Sequence, residues 1–284
     1  MPGTRGGLES HYSLNRAWYL SAKNATSVET ALNEDLKHIS EWLACNKLKL
    51  NVQKCEFIIF GSKHRLKRLP PNITLNLSRE IVPRVSSCKY LGMTLDENLD
   101  WSLHIKAVCR KVVLNIYLLK RIRNFISKQQ ATIFYKLMIQ CHFDYCDTVY
   151  SNAGITLLRK LQILQNRALR TVLKVEPRSS SAQLYITLKL DNIETRFRKR
   201  EAVTMHKIFN SKAPKYLLDR FHILNVTYNI RGSGRDFSLP KARTNFMHRS
   251  LSYRGVKVWN RLPMNMKGIG SLERFRSHLR NINF

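Results

Sequence analysis

The chain has 284 residues, of which 44% are hydrophobic, so it can bury a core and is not a generally disordered sequence. Its 49 Lys and Arg against 19 Asp and Glu give a net charge of +30. A compact fold with this charge repels itself unless an anion screens it, which favours a nucleic-acid partner over a solubilising basic surface or an anionic membrane. The N-terminal residues lack a signal-peptide core, and no apolar run is long enough to span a bilayer. We therefore predict an intracellular protein, nuclear or cytoplasmic, with no membrane partner.

The first predicted element is a helix that starts near residue 25. Thr26 and Glu29 have the spacing of a capping box, and Asn46 is a typical stop. Apolar residues recur at helical spacing on one face, namely Val28, Leu32, Leu36, Ile39 and Leu43. The runs "CEFIIF", closed by Gly61, then "ITLNL", "EIVPRVSSCKYLG" and "MTLD" predict short strands. Residues 25–98 therefore read as one helix packed on a small antiparallel sheet.

After Asp100 the pattern becomes helical. Ser127 and Gln130 form a second capping box, and "ITLLRKLQILQNRALRTVLK" places Leu157, Leu161, Leu164, Ala168 and Val172 on one face. These features predict an α+β fold, with a small antiparallel sheet and its helix followed by a mostly α-helical bundle and a short basic C-terminal subdomain. The predicted divisions are residues 1–24, 25–100, 101–222 and 223–284.

The basic charge is concentrated in the helical half. Eight Lys or Arg and no acid lie between Trp101 and Phe143, and five with no acid lie between Thr148 and Val175. The second group falls off the apolar stripe of its helix, which predicts a basic, solvent-facing surface. From Arg231 onward there are twelve basic residues against two acids, interleaved with aromatic residues. That mixture suits either base stacking with phosphate contact or a β-rich core around Tyr253 and Trp259.

Four motifs occur in a recognisable order: "ALNEDLKHISEWLACNKLKLNVQKCEFIIF", "CKYLGMTLDENLDWSLHI", "LRKLQILQNRALR" and "LSYRGVKVWNRLP". Together they resemble the C-terminal part of reverse transcriptases from non-LTR retrotransposons of the LINE type, which are jockey-like. The resemblance covers the chain from about Tyr12 to its end. It implies the end of a polymerase palm, a primer-grip hairpin at "CKYLGMTLD", a thumb from Trp101 onward and a basic tail.

The resemblance also implies roles for individual residues. Lys54 matches a lysine near the incoming nucleotide and is a weak candidate proton donor, with a surface lysine as the simpler interpretation. Together, the grip, the thumb and the basic surface give the predicted nucleic-acid-binding residues Lys89, Tyr90, Gly92, Arg110, Lys111, Lys120, Arg159, Lys160, Arg167, Arg170 and Lys174.

The polymerase chemistry of the family needs paired carboxylates that hold Mg²⁺. When the family pattern is laid over "YSLNRAWYLSAKN", Leu14 and Asn15 occupy the positions of two aspartates. Leu cannot ligate a metal, and Asn is a poor, uncharged substitute. The fingers and the first catalytic aspartate are expected upstream of this sequence. We therefore predict no catalytic residue, no metal site and no cofactor, so enzymatic activity is uncertain and an inactive reverse-transcriptase fragment is expected.

The acids near the predicted grip have a structural interpretation. Asp96, Glu97 and Asp100 fall in a turn and at a helix start, where Asp100 is placed to cap the next helix. Cys141, His142 and Cys146 lack a second pair at zinc-binding distance, which favours buried thiols over a metal site.

The predicted function is therefore a truncated piece of a retrotransposon RNA-directed DNA polymerase that retains non-specific binding of RNA, DNA or their hybrid. The alternative is a co-opted basic nucleic-acid-binding or scaffold protein without enzymatic activity. The sequence leaves template preference and oligomeric state open.

Overall fold

A computed structural model describes residues 17–21, 24–48, 51–70, 72–78, 80–224, 234–282 and 284. The chain divides into two compact units, Met1–His104 and Ile105–Phe284. The first unit carries all four strands found among the described residues, and the second is helical. The α+β fold class predicted from the sequence is confirmed, while the four-part domain division stays a prediction.

The first unit contains two helices, a short 3-10 turn and two hairpins. In chain order these are α1 (Ala25–Cys45), the 3-10 turn (Val52–Lys54), α2 (Lys63–Leu66), β1 (Leu75–Leu77), β2 (Glu80–Val82), β3 (Ser87–Tyr90) and β4 (Met93–Asp96). β1 pairs antiparallel with β2, and β3 pairs antiparallel with β4, so the expected sheet is a pair of two-stranded ribbons. A small core of Val52, Leu75, Leu77 and Val82 lies against Leu32 and Leu36 of α1.

Two local predictions in this unit are wrong. The side chain of Glu29 does not cap α1; its Oε1 accepts hydrogen bonds from the amide and hydroxyl of Thr74, 2.8 and 3.2 Å away. Thus the acid joins the helix to the strand region instead of to its own N-terminus. The "CEFIIF" run forms no regular strand, because only Phe57 bridges to Arg84. Among the described residues, neither two-stranded sheet includes this run. Its β-propensity is therefore not sufficient to form a strand without a pairing partner.

The second unit is built on three long helices. Its helices are α3 (Ser102–Ile122), α4 (Lys128–Phe134), a π-helix (Tyr135–Gln140), α5 (Cys141–Asp144), α6 (Asp147–Tyr150), α7 (Ile155–Leu173), α8 (Ser181–Leu188), α9 (Ile193–Phe209), α10 (Lys215–Leu218), α11 (Asn245–Arg249), α12 (Leu251–Asn260), α13 (Met264–Lys267) and α14 (Leu272–Leu279). The capping box predicted at Ser127 and Gln130 is confirmed. Leu161, Ala168 and Val172 on the predicted face of α7 are fully buried.

The C-terminal residues do not form a β-rich subdomain. Trp259 is fully buried as expected, but it lies on α12, which packs against α9. A Cβ at Gly255 would meet Sδ of Met205 at 2.7 Å, so this glycine lets the two helices approach closely. Tertiary packing has therefore overridden the β-propensity of the "YRGVKVW" segment.

Candidate nucleic-acid interface

Helix α7 presents a face composed mainly of cations. At about 100° per residue, the five predicted basic residues of this segment fall within an arc of about 100°. These are Arg159, Lys160, Arg167, Arg170 and Lys174, the last of which caps the helix. All are exposed except the half-buried Arg170, whose guanidinium donates through Nε and Nη2 to the carbonyl of Ser179. The structure therefore brings this predicted set together on one surface, which we call the α7 face.

Helix α3 adds a second row of cations. Lys106, Arg110, Lys120 and Arg121 also fall within an arc of about 100°, opposite the buried residues of the helix. Tyr117 lies in the same arc, with its ring 59% exposed and the guanidinium of Arg121 6.0 Å from its centroid. Lys106, Tyr117 and Arg121 were not among the predicted binding residues, although helical spacing from Arg110 places them on the same face.

Lys111 belongs elsewhere on α3. It projects about 100° away from Arg110 around the helix axis, on the side of His142. Burial lowers the pKa of His142, and the charge of Lys111 lowers it further. Lys111 is exposed, but it is not part of the row formed by the other α3 cations, and its predicted role in nucleic-acid binding stays a prediction.

One hydrogen bond and one electrostatic interaction place α3 near α7. Burial raises the pKa of the Cys109 thiol on α3, and the nearby charge of Lys160 on α7 opposes that rise. Thirteen residues after Arg110, the buried Arg123 donates from Nε to the carbonyl of Val172 at 2.8 Å. The interaction of Cys109 with Lys160 links the N-terminal halves of the two helices, and the hydrogen bond from Arg123 to Val172 links their C-terminal ends. The two helices therefore run in the same direction.

Six described acids of the second unit pair with cations outside α3 and α7. Arg196 pairs with Asp144, Arg200 with Asp147, and Arg254 with Glu201. Further pairs join Lys199 to Asp191, Arg198 to Glu194 and Lys267 to Asp236. None of the ion pairs found in the described part of the chain includes a residue of α3 or α7. The positive potential of these two helices is therefore not neutralised by carboxylates bonded to them.

The predicted grip is a tight hairpin in the first unit. Leu91 and Gly92 form its turn with φ of 45° and 80°, as in a type I′ turn. Lys89 before the turn is exposed and Tyr90 is half-buried. A leucine in the left-handed region is strained, so this turn is a defined but costly feature.

Two of the three acids have structural roles, namely Asp96 at the end of β4 and Asp100. The buried Asp96 accepts hydrogen bonds from the backbone amides of Asn98, Asp100 and Trp101, each at 3.1 Å. Asp100 accepts from the amide of Ser102 at 2.8 Å, at the start of α3. Burial raises the pKa of Asp100, but the Ser102 hydrogen bonds and the charge of Lys63 outweigh it and leave the pKa lowered. The structural interpretation of these acids is supported by these contacts.

The remaining candidate residues lie in ordinary surface or core environments. Lys54 is an exposed residue at the end of the 3-10 turn. Cys141 is exposed rather than buried, which corrects the expectation of a core thiol. Trp259 is inaccessible for base stacking, since its ring is in the core and its Nε1 donates to the carbonyl of Arg235 at 2.8 Å. Tyr253 is half-buried, with Nζ of Lys257 4.6 Å from its ring centroid.

The residues expected at the catalytic turn, Leu14 and Asn15, lie outside the described residues. Within the described ranges, no group of three or more His, Cys, Asp or Glu is placed to hold a metal ion. Leu14 has no donor atom, so the pair does not fit the Mg²⁺ site of the resembled family. The expected lack of a cofactor and of catalytic residues stays a prediction.

No helix in the part of the chain that the structure describes is long and apolar enough to cross a bilayer.

The fold and the cationic surface together describe a basic α+β protein with two exposed rows of positive charge. Comparison with curated proteins finds similarity to RNA-directed DNA polymerases of mobile elements. The chain is 27% identical over 200 residues to the probable RNA-directed DNA polymerase from transposon BS of Drosophila melanogaster, covering 68% of this chain and 21% of that protein. It is 29% identical over 145 residues to the polymerase from mobile element jockey of Drosophila funebris, covering 50% and 15%. It is 26% identical over 158 residues to the probable polymerase from transposon X-element of Drosophila melanogaster, covering 54% and 17%.

The resemblance to non-LTR retrotransposon polymerases is therefore confirmed. The chain spans about a fifth or less of the length of these relatives. No family model matches the chain. No solved structure matches it either. The assignment of its segments to a palm end, a primer grip and a thumb stays a prediction.

Proposed function

We propose that this chain binds RNA, DNA or their hybrid without sequence preference, through the α7 face and the α3 cations. The observation that carries this proposal is the α7 face itself, with five cations on one arc of a helix that contains no acid. The similarity to RNA-directed DNA polymerases supports the choice of nucleic acid over other polyanions.

The dimensions of the α7 face suit a phosphate backbone. Arg159 and Lys174 are fifteen residues apart, which corresponds to about 22 Å along the helix. This length matches roughly six base pairs of duplex, enough for several phosphates. Lysine and arginine contacts to phosphate carry no base information, so we expect binding without sequence preference. Tyr117 adds an exposed ring for stacking on an unpaired base.

Lys89 and Tyr90 at the β3–β4 turn are proposed as a second contact point, as the resemblance to a primer grip implies.

We further propose that this polypeptide does not extend primers by itself. Its candidate catalytic turn offers Leu14 and Asn15 where paired carboxylates would have to hold two metal ions.

Salt dependence of binding tests the proposal. The affinity of the whole chain for a duplex should fall linearly on a log–log plot against salt, with a slope of about −0.9 per phosphate contacted. The triple variant Arg159→Gln/Arg167→Gln/Lys174→Gln should reduce the magnitude of that slope by about 2.7, because three contacts are lost.

A matched control removes equal charge elsewhere. Lys189, Lys207 and Lys215 are exposed and lie outside α3 and α7, so their triple change to Gln leaves the proposed surface intact. If this control weakens binding as much as the α7 variant, the charge acts only as a diffuse field and the proposed interface is wrong. A slope near zero for the unmodified chain would reject nucleic-acid binding altogether.

Primer extension on an RNA template, with Mg²⁺ or Mn²⁺, tests the second part of the proposal. We expect no template-dependent incorporation by the purified chain. Incorporation would show that carboxylates other than those of the family motif serve the reaction.

A further inference from the structure

An apolar groove opens on the second unit, between the C-terminal end of α3 and the two helices α4 and the π-helix. One wall is formed by Ile122 of α3 and by Ile126, and the other by residues of α4 and the π-helix, including Ile133 and Leu137. Its cavity volume is about 340 Å³. None of the cations of the proposed nucleic-acid interface lines the groove itself, although Arg121 of the α3 row lies at its border.

Exposed apolar ridges run along both sides of the groove. On α3, Leu114, Leu118 and Ile122 recur every fourth residue and are 64%, 46% and 37% exposed. Across the groove, Ile133 and Leu137 are 55% and 66% exposed with the same spacing. A concave apolar surface flanked by exposed apolar side chains is the usual acceptor for one apolar face of an amphipathic helix.

The walls are held in place by hydrogen bonds from side chains to backbone carbonyls. Nδ2 of Asn115 on α3 donates to the carbonyl of Met138 in the π-helix at 2.5 Å. Nη1 of the buried Arg123 donates to the carbonyl of Ile126 at 2.8 Å, while its Nε holds the end of α7. The groove is therefore preorganised, which lowers the entropic cost of binding.

Positive charges border the groove. Lys111 lies on the α3 side in line with Leu114 and Leu118, Arg121 follows Leu118 by one turn, and Lys136 precedes Leu137. No acidic residue occurs between Trp101 and Phe143, the segment that forms both walls. A second copy of this chain would bring another charge of +30 to the same place. A flat bilayer surface would not fill a concave groove.

We propose that the groove is a docking surface for an acidic amphipathic helix of a partner protein. Apolar residues of that helix, spaced i, i+3 or i+4 and i+7, fill the groove, and its carboxylates lie over Lys111, Arg121 and Lys136. This assignment gives Lys111 a role that its position away from the α3 cation row leaves open.

Fluorescence anisotropy with four labelled peptides tests the proposal on the whole chain. The probes are one amphipathic helical peptide in an acidic, a neutral and a basic version, and a scrambled acidic peptide that lacks helical periodicity. We expect the acidic helix to bind at least roughly tenfold more tightly than the neutral one or the scrambled peptide. The triple variant Lys111→Gln/Arg121→Gln/Lys136→Gln should abolish the preference for the acidic version.

The groove variant Ile133→Asp/Leu137→Asp should weaken binding of the acidic peptide by at least roughly tenfold. Ile186→Asp on α8 is its control, because Ile186 is 69% exposed and lies outside the groove. Circular dichroism verifies that both variants fold. Duplex binding should stay unchanged in the groove variant, so failure of this proposal is distinct from failure of nucleic-acid binding.

Four outcomes would overturn the assignment. Equal affinity for the neutral and acidic helices, or binding that the groove variant does not weaken, excludes an acidic helix as the occupant. Sedimentation that shows dimers dissolved by Ile133→Asp/Leu137→Asp would identify a second copy instead. Flotation with anionic vesicles that depends on the groove would identify a membrane.

Discussion

The two units bury their side chains to very different degrees. No residue of α1 is fully buried. The buried apolar residues described in the first unit are few, namely Val52, Leu75, Leu77, Val82, Met93 and Trp101. In the second unit α9, α12 and α14 enclose a cluster that includes the fully buried Trp259 and Phe275. Burial of large apolar side chains is the main source of folding free energy. The second unit therefore has its own source of stability, whereas the described part of the first has little.

The units also differ in how they use charge. The second unit buries carboxylates against arginines, as where Glu201 receives hydrogen bonds from Ser151 and Arg254. Burial raises the pKa of Glu201, and the charge of Arg254 opposes that rise. Such pairs cost desolvation energy but are strongly disrupted when one partner is removed. The one ion pair among the described residues of the first unit, Arg84 with Glu97, is partly exposed at 3.9 Å and contributes little.

Side-chain truncation in each core gives the largest expected effect. Trp259→Ala should lower the free energy of unfolding of the second unit by about 3–5 kcal/mol, through lost burial and a residual cavity. Leu32→Ala, at a half-buried position of α1, should cost the first unit only about 1–2 kcal/mol. Hydrogen exchange read segment by segment in urea separates the two units. Equal losses would show that the first unit is packed as well as the second.

Protonation of a buried acid should give the next largest effect, again in the second unit. Burial raises the pKa of Asp147 to about 6, and the nearby charge of Asp144 also raises it. The charges of Arg200 and Arg196 and the hydrogen bond from the amide of Thr148 oppose this rise. The unfolded chain releases this proton near the ordinary value of 3.8. The stability contributed by the protonated group is therefore present below that value and is lost as pH rises through about 6.

Asp147→Asn should remove this loss. The difference in free energy of unfolding of the second unit, variant minus unmodified chain, should rise by about 2–3 kcal/mol between pH 4 and pH 7, since one pKa unit corresponds to about 1.4 kcal/mol. Glu201 titrates in both proteins, so its contribution cancels in the difference. Urea unfolding at several pH values measures it. A difference independent of pH would mean that Asp147 stays ionised beside Arg200 throughout.

Sequence periodicity predicted the elements whose burial follows one helix face. α1, α3 and α7 were found this way because each packs one side and exposes the other. The same logic placed the α7 cations on the solvent side. Helical spacing alone could have added Tyr117 and Arg121 to the candidate surface. That part of the site was therefore predictable from the sequence, although it was not predicted.

Contacts between distant residues could not be predicted from the sequence. Glu29 looks like a capping acid until its bond to Thr74, 45 residues away, is seen. Arg254 meets Glu201 across 53 residues, and no local pattern marks either one. The apolar groove likewise forms only when the end of α3 lies beside the π-helix, which the Asn115 hydrogen bond fixes. Pairing at long range is decided by the whole fold, while spacing reports only on single elements.

Relief of backbone strain should produce the smallest effect, and it should be confined to the first unit. Leu91 occupies the left-handed region at φ 45°, where an L-residue costs roughly 1 kcal/mol and asparagine is better tolerated. Leu91→Asn should therefore stabilise the β3–β4 hairpin by about 0.5–1 kcal/mol and leave the second unit unchanged. Amide exchange of β3 and β4 measures the gain. Gly92→Ala provides the opposite control, because a Cβ at φ 80° adds strain and should lower protection of the same amides. If Leu91→Asn instead destabilises the hairpin, contacts of the leucine side chain outweigh its strain. The first unit would then depend on this turn for packing that its small core does not supply.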